Sequence, residues 1–308
     1  MKVLVIGSTT LDMIVTLDHL PTKEEDINTR DIEFRVGGMA YNVHHMLKLS
    51  NVDRIFGCPI GDGRFAKIVE SMIDEKPIYK FNNLDNGVCI CLVDESGERS
   101  FIAHHGAEYR FDEVWYQDID LNDISYVYIS GLEVEELDGG KLVSFIEKIN
   151  KPIFFAPGPR IKYIDEQRLK RILALKPIVH LNERELSIIT NNNNYRDAVL
   201  ELYSITSAPI IVTLGSKGCY IKTSDYEKMV PGFETEVVDT IGAGDAHAGA
   251  VLASLSLGLD LNDACVFANI IGSYVVREVG ASISQETYAL AVGKYHEINN
   301  IMLYQRSR

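Results

Sequence analysis

The chain has 308 residues, 46% hydrophobic and 24% charged, with a formal net charge of −14. That composition is ordinary for a soluble globular protein, and the acidic balance argues against a phosphate-tracking nucleic-acid binder, which needs a basic face. The length fits one large α/β domain with a small accessory unit. Residues 1–308 are therefore read as a single domain.

In chain order, Val3–Ile6 is a short apolar run ending at Gly7, as in a strand buried on both faces. It is too soon interrupted to be a secretory signal. Residues 11–18 and 27–36 mix apolar and polar positions, as half-exposed strands do. Val88–Val93 and Arg99–Ala103 flank Asp94-Glu95-Ser96-Gly97-Glu98, a hairpin signal. These pieces predict a small sheet, too small for its own core and read as a lid formed by segments 11–18, 27–36 and 86–105. From residue 125 the rhythm is strand then helix. Strands at 126–129, 153–155, 178–181 and 210–214 alternate with helical stretches, which predicts a parallel sheet covered on both faces. The last third, from 243, is mostly helical. No apolar run approaches the ~18 residues of a membrane span. Cys58, Cys89, Cys91, Cys219 and Cys265 lack zinc spacing and read as buried reduced thiols. A cytoplasmic protein follows by elimination.

The most informative segment is Asp239-Thr240-Ile241-Gly242-Ala243-Gly244-Asp245. Glycines before a helical run allow a tight turn and close backbone approach. A helix start offers free N–H groups and a positive dipole end to an anion. An anion cradle beside a carboxylate suits phosphoryl transfer onto a hydroxyl. The same pattern also reads as a plain helix start.

Other candidates lie at predicted strand ends, where ligands bind in α/β sheets. Gly37-Gly38 with Asn42 would let a polyhydroxylated ligand lie against backbone, or is a turn and helix start. Asp12 could accept two sugar hydroxyls, or sit at a surface turn. Asn182 and Glu185 could hold Mg²⁺ through water; Asn-x-x-Glu is equally a capping box. Thr213-Leu214-Gly215-Ser216-Lys217-Gly218 could present donors to a nucleotide or form a hairpin turn. No Walker-type phosphate loop and no dinucleotide fingerprint is present. His44-His45 and His104-His105 point to opposite faces in regular elements, which is poor metal geometry. One histidine lining a pocket is expected, and His104 is assigned there.

The ordered set Gly37-Gly38-x-x-x-Asn42, Gly61-Asp62, Gly97-Glu98, Asn182-x-x-Glu185, Thr213-Leu214-Gly215-Ser216-x-Gly218 and Asp239-Thr240-x-Gly242-Ala243-Gly244-Asp245 resembles the ribokinase-like (PfkB) family of carbohydrate and nucleoside kinases. The resemblance implies a three-layer α/β sandwich around a mostly parallel sheet, with a small β-sheet lid that serves as a homodimer interface. It implies ATP, Mg²⁺ and, in some members, K⁺. Asp245 would be the catalytic base, and the amides of Gly242, Ala243, Gly244 and Asp245 the anion hole. Asn182 and Glu185 would organise Mg²⁺ and phosphate. Thr213, Gly215, Ser216 and Gly218, with Asn269, would frame the nucleotide. Asp12, Gly37, Gly38 and Asn42 would bind the acceptor. Asp239 and Gly280-Ala281-Ser282 resemble the loops that hold a monovalent cation. His44, His247 and Asn86-Gly87 depart from the family pattern and leave the acceptor open: a sugar, or a nucleoside. Arg160 could meet a phosphate of ATP or of the substrate, or be a surface residue. Rival readings are a non-catalytic sugar or nucleotide sensor and a nicotinamide dehydrogenase.

Overall fold

The computed structural model describes residues 1–281 and 283–306, with side chains described through residue 298. The chain runs β1 (Lys2–Ile6), β2 (Thr10–Thr16), β3 (Asp31–Gly37), α1 (Met39–Leu49), β4 (Arg54–Gly57), β5 (Pro59–Ile60), α2 (Arg64–Met72), β6 (Tyr79–Lys80), β7 (Val88–Val93) and β8 (Arg99–His104). It continues through β9 (Ile124–Ser130), α3 (Gly131–Glu135), α4 (Gly139–Ile149), β10 (Ile153–Ala156), α5 (Glu166–Ala174), β11 (Ile178–Asn182), α6 (Glu183–Thr190), α7 (Tyr195–Thr206) and β12 (Ile210–Thr213). The last elements are β13 (Gly218–Lys222), β14 (Glu227–Pro231), α8 (Ala243–Ser256), α9 (Leu261–Val275) and α10 (Gln285–Arg306).

The large sheet has the order β14-β13-β12-β11-β10-β9-β1-β4. Its β12 to β4 portion is parallel, and β13 and β14 add an antiparallel edge. The apolar run of β1 is explained by this position. Val3 and Val5 face a core shared with α1, α8 and α9, while Leu4 and Ile6 face the core under α4. Phe154 and Phe155 split the same way in β10. Side chains alternate across a strand, so a strand between two helical layers must be apolar at every position. The α/β sandwich expected from the alternating rhythm is the observed architecture. Strands β4, β13 and β14 are added to it; four or five residues long, they are too short for periodicity to reveal.

A second sheet, ordered β3-β2-β7-β8, stands apart from the first. Its strands fall inside the three segments expected to form the lid, apart from one residue at either end. Among the described residues no helix is long and apolar enough to cross a membrane.

Helix α8 carries the site and is held deep in the first core. Ala246, Ala248, Ala250, Val251 and Leu252 are buried around its circumference. Small residues allow close approach to α1: a methyl at Gly249 would lie 2.7 Å from Met46 Cβ. Both helices begin at the crevice outside the carboxyl ends of the parallel strands, where α/β folds place ligands.

Candidate active site

A cavity of about 530 Å³ lies between those strand ends and the small sheet. Gly242 caps α8 with φ of 70°, and a methyl there would sit 2.3 Å from Ala281 Cα. That left-handed backbone and close packing require glycine. Gly242, Gly244 and Asp245, at the amino end of α8, line the cavity. Asn42 Nδ2, one helix away on α1, donates to Asp245 Oδ2 at 2.8 Å. Burial pushes the Asp245 pKa up to about 7, against the lowering effect of Asn42; Glu185 and Asp12 push it the same way as burial.

Asp12 projects from β2 into the same cavity. Thr10 Oγ1 donates to its Oδ1 at 3.0 Å, and burial raises its pKa to about 6. Gly37 makes room for it, and Gly38 for the neighbouring Ser8 backbone. A methyl at Gly37 would stand 1.9 Å from Asp12 Oδ2, and one at Gly38 (φ 101°) would stand 2.6 Å from the Ser8 carbonyl oxygen. Cys89, Phe101 and Ala103 complete the wall from the small sheet. His105, just past the end of β8, lines the cavity, stacks on Tyr109 with ring centroids 4.0 Å apart, and pairs with Glu136. His104 is exposed and does not line the cavity, so the histidine expectation shifts by one residue. Consecutive strand residues face opposite sides, and the sequence alone leaves the register open.

The two readings of Asn182 and Glu185 meet in one place. Asn182 Oδ1 accepts from Glu185 N at 2.8 Å, and Glu185 Oε2 accepts from Asn182 N at 3.1 Å, which is the capping box. Asn182 Nδ2 also donates to Glu185 Oε1 at 2.8 Å, and both residues line the cavity. Burial raises the Glu185 pKa. Thr213 lines the cavity from the end of β12, whereas Gly215 and Ser216 are exposed in the turn joining antiparallel β12 and β13. Gly218 is buried against the carbonyl oxygen of Val230, with φ of 99°. Asn269 lies away from the cavity lining. Its Nδ2 donates to the carbonyls of Val230 and Pro231, both at 3.1 Å, and its Oδ1 is 3.1 Å from His247 Nε2. His247 Nδ1 in turn lies 2.8 Å from His180 Nε2.

His180, which belongs to none of the motifs, also reaches the cavity wall. A strand period of two places it on the face of Asn182, so a polar residue inside an apolar strand was the available signal. Tyr109 carried no such signal. Arg160 lines the cavity, but its Nε donates to Glu135 Oε2 at 2.6 Å and its Nη2 also binds that carboxylate. Its charge is thus matched from within the chain.

Asp239 does not fit the expected cation loop. Arg99 Nη2, from β8, lies 2.9 Å from Asp239 Oδ2. Gly280 N donates to the same oxygen at 2.7 Å, and Ile241 N donates to Oδ1 at 2.8 Å. Burial alone would raise its pKa; Arg99 and the two amides outweigh that and hold it below the usual carboxylate value. An internal guanidinium thus stands where an inorganic cation was expected. Gly280 and Ala281 flank this carboxylate, while Ser282 lies outside the described residues.

The family model of pfkB family carbohydrate kinases matches residues 1–288. The chain is 34% identical over 287 residues to an uncharacterized sugar kinase, YegV, of Escherichia coli strain K12, covering 91% of this chain and 89% of that one. A Burkholderia thailandensis nucleoside kinase in complex with inosine superposes with a TM-score of 0.79 at 18% identity, covering 96% of each chain. Arabidopsis thaliana ribokinase complexed with ribose and ATP superposes with a TM-score of 0.75 at 18% identity, covering 94% of this chain and 98% of that one. At such identity these likenesses speak for the fold.

Proposed function

The chain belongs to the PfkB family of carbohydrate kinases and is an ATP-dependent phosphotransferase acting on a hydroxyl group; from that premise we propose that it moves the γ-phosphoryl group of ATP to a hydroxymethyl group of a sugar. One observation carries the reading: the Asp245 carboxylate stands at the amino end of α8, held by Asn42, inside a cavity that also presents Asp12.

Asp12 accepts hydrogen bonds from acceptor hydroxyls and fixes the sugar against Gly38. Asp245 accepts the proton of the reacting hydroxyl as its oxygen bonds to the γ-phosphorus. The bond from that phosphorus to the β–γ bridging oxygen breaks, and ADP leaves. The amides of residues 242–245 and the dipole of α8 stabilise charge on the phosphoryl oxygens. Little proton transfer is needed early in a loose transition state, so a carboxylate suffices as base. Thr213, with the hairpin turn after it, borders the nucleotide. The small sheet covers the acceptor and keeps water from the phosphoryl group.

Among the described residues no cluster of three or more carboxylates, histidines or cysteines forms a ready-made metal site, so Mg²⁺ would be held here through its waters and the ATP phosphates. Glu185 and Asn182 would hold the ion through its waters, and Mg²⁺ would neutralise charge on the ATP phosphates.

Arg99 and Arg160 are engaged with Asp239 and Glu135, so neither guanidinium is free for a substrate phosphate. The aromatic ring of Phe101 in the cavity wall supports a nucleoside as the second reading, since a base stacks on such rings. Ile32, Phe34 and Ile102 leave the outer face of the small sheet exposed and apolar, which supports a homodimer through that sheet. All five cysteines are free thiols, in keeping with a cytoplasmic enzyme.

The test is an ADP-release screen with ATP and Mg²⁺ across sugars and nucleosides. Acceptor-dependent ADP release with a free sugar is the expected result. Release only with nucleosides selects the second reading, and release with neither class would sink both.

A further inference from the structure

We infer that Arg99 is a positioning residue that supplies the positive charge holding the anion turn in place, so that this kinase works without a monovalent cation. The inference rests on the kinase reading above but concerns a different carboxylate. Asp239 is buried, and both of its oxygens are engaged by Arg99 and by the amides of Ile241 and Gly280. A potassium ion on those oxygens would meet the guanidinium at contact distance, and like charges repel there.

What Asp239 holds together is the turn itself. Ile241 immediately precedes Gly242, and Gly280 immediately precedes Ala281, against which Gly242 is packed. The carboxylate therefore pins the two backbone stretches whose contact sets the start of α8. Without a cation beside it, a buried charged carboxylate is costly and the pin weakens. Arg99 removes that cost.

The cation also arrives from a separate layer. Arg99 belongs to β8 of the small sheet, and Arg35 on β3 of the same sheet donates from Nη1 to the Val279 carbonyl at 2.6 Å. Two strands of the sheet that walls the acceptor thus grip the loop beside the anion turn. Docking of the small sheet and completion of the phosphoryl site become one event. Arg35, Arg99 and Asp239 line a second cavity of about 490 Å³. Removing the Arg99 side chain leaves room there for an ion.

The experiment compares the intact chain with Arg99→Ala and Arg99→Lys, each checked for folding by circular dichroism. ADP release and Tm are measured in KCl and in tetramethylammonium chloride at an equal ionic strength of about 0.1 M, which equalises screening. Wild-type turnover and Tm are expected to be the same in both salts. Arg99→Ala is expected to lose about 10–100-fold in turnover in tetramethylammonium, as a slightly misplaced site does. KCl should restore most of that loss and raise the Tm of this variant alone. Arg99→Lys should keep most of the activity in both salts.

Activation of wild type by KCl of more than about fivefold, the lower end of ordinary coupling, overturns the inference. So does an Arg99→Ala enzyme with full turnover in both salts, or a loss that neither potassium nor Arg99→Lys repairs. The melting comparison needs no acceptor. If no acceptor releases ADP, the kinase reading fails, and a potassium-specific rise in Tm confined to Arg99→Ala still supports the assignment of Arg99.

Discussion

Asp239 and Asp245 stand at the two ends of one glycine turn, yet the fold treats their carboxylates oppositely. Asp239 faces Arg99 and two amides, and its pKa is held low. Asp245 faces the side chain of Asn42 and has Glu185 and Asp12 as charged neighbours, and its pKa is pushed up to about 7. The first carboxylate is satisfied and serves as a fixed joint. The second lies beside the first amides of a helix, with its remaining oxygen unclaimed by any described side chain, and suits the taking of a proton. Two carboxylates of one turn are separated here by their partners, not by their chemistry.

The strongest way to break the comparison is to neutralise each carboxylate in turn. Asp245→Asn should lower kcat by about 10²–10⁴, the usual contribution of a general base. It should also raise Tm. The folded state binds the Asp245 proton more tightly than the unfolded chain, so this residue's contribution to stability falls as pH rises from its ordinary 3.8 towards about 7. Melting curves at pH 8 check this, because the amide carries no charge to be penalised. Wild-type kcat in the purified variant would remove Asp245 from the mechanism.

The pH profile sharpens the same contrast. The base must be ionised to accept a proton, so kcat/KM should fall about tenfold per pH unit below a pKa of about 7. A profile flat down to pH 5 would show that the proton goes elsewhere.

Asp239→Asn should act in the opposite direction on stability, and more gently. It leaves Arg99 without its anion, at a cost of about 1–3 kcal/mol near pH 7, below the usual figure for a broken buried pair because the Arg99 side chain is still 20% exposed. The folded-state pKa of Asp239 is depressed, so its stabilisation is present above the unfolded value and disappears as pH falls through the folded one. The Tm gap between wild type and variant should therefore narrow in acid. A gap independent of pH would mean that packing, not charge, is lost.

Much of this was legible in the chain before any coordinates. The strand–helix rhythm after residue 125 announced the layers, because a two-faced strand must be apolar throughout and its covering helices must repeat. The turns before α8 and α1 were legible because their glycines are required locally: Gly242, which caps α8, and Gly38, which caps α1, both take a positive φ. The capping box of Asn182 and Glu185 was readable for the same reason, since both partners lie within one helical turn. Other features were not readable. His105 replaced His104 because the register of an exposed strand leaves little trace in sequence. Asn269 reads as a nucleotide contact by position in a motif order, but its amide is consumed by the carbonyls at the end of β14.

What the sequence by itself determined is therefore the local grammar: the two-sided sheet, the helix starts, the glycine turn and the carboxylate after it. Each rests on backbone conformation and periodicity, which act over a few residues. Only the tertiary structure decided which charges meet. The Arg99–Asp239 pair, the Asn42–Asp245 bond and the closure of Arg160 by Glu135 join residues that are remote in the chain or, for Arg160, on a different element. Coulomb attraction and hydrogen bonding depend on distance in space and on burial, and neither quantity exists until the layers are packed.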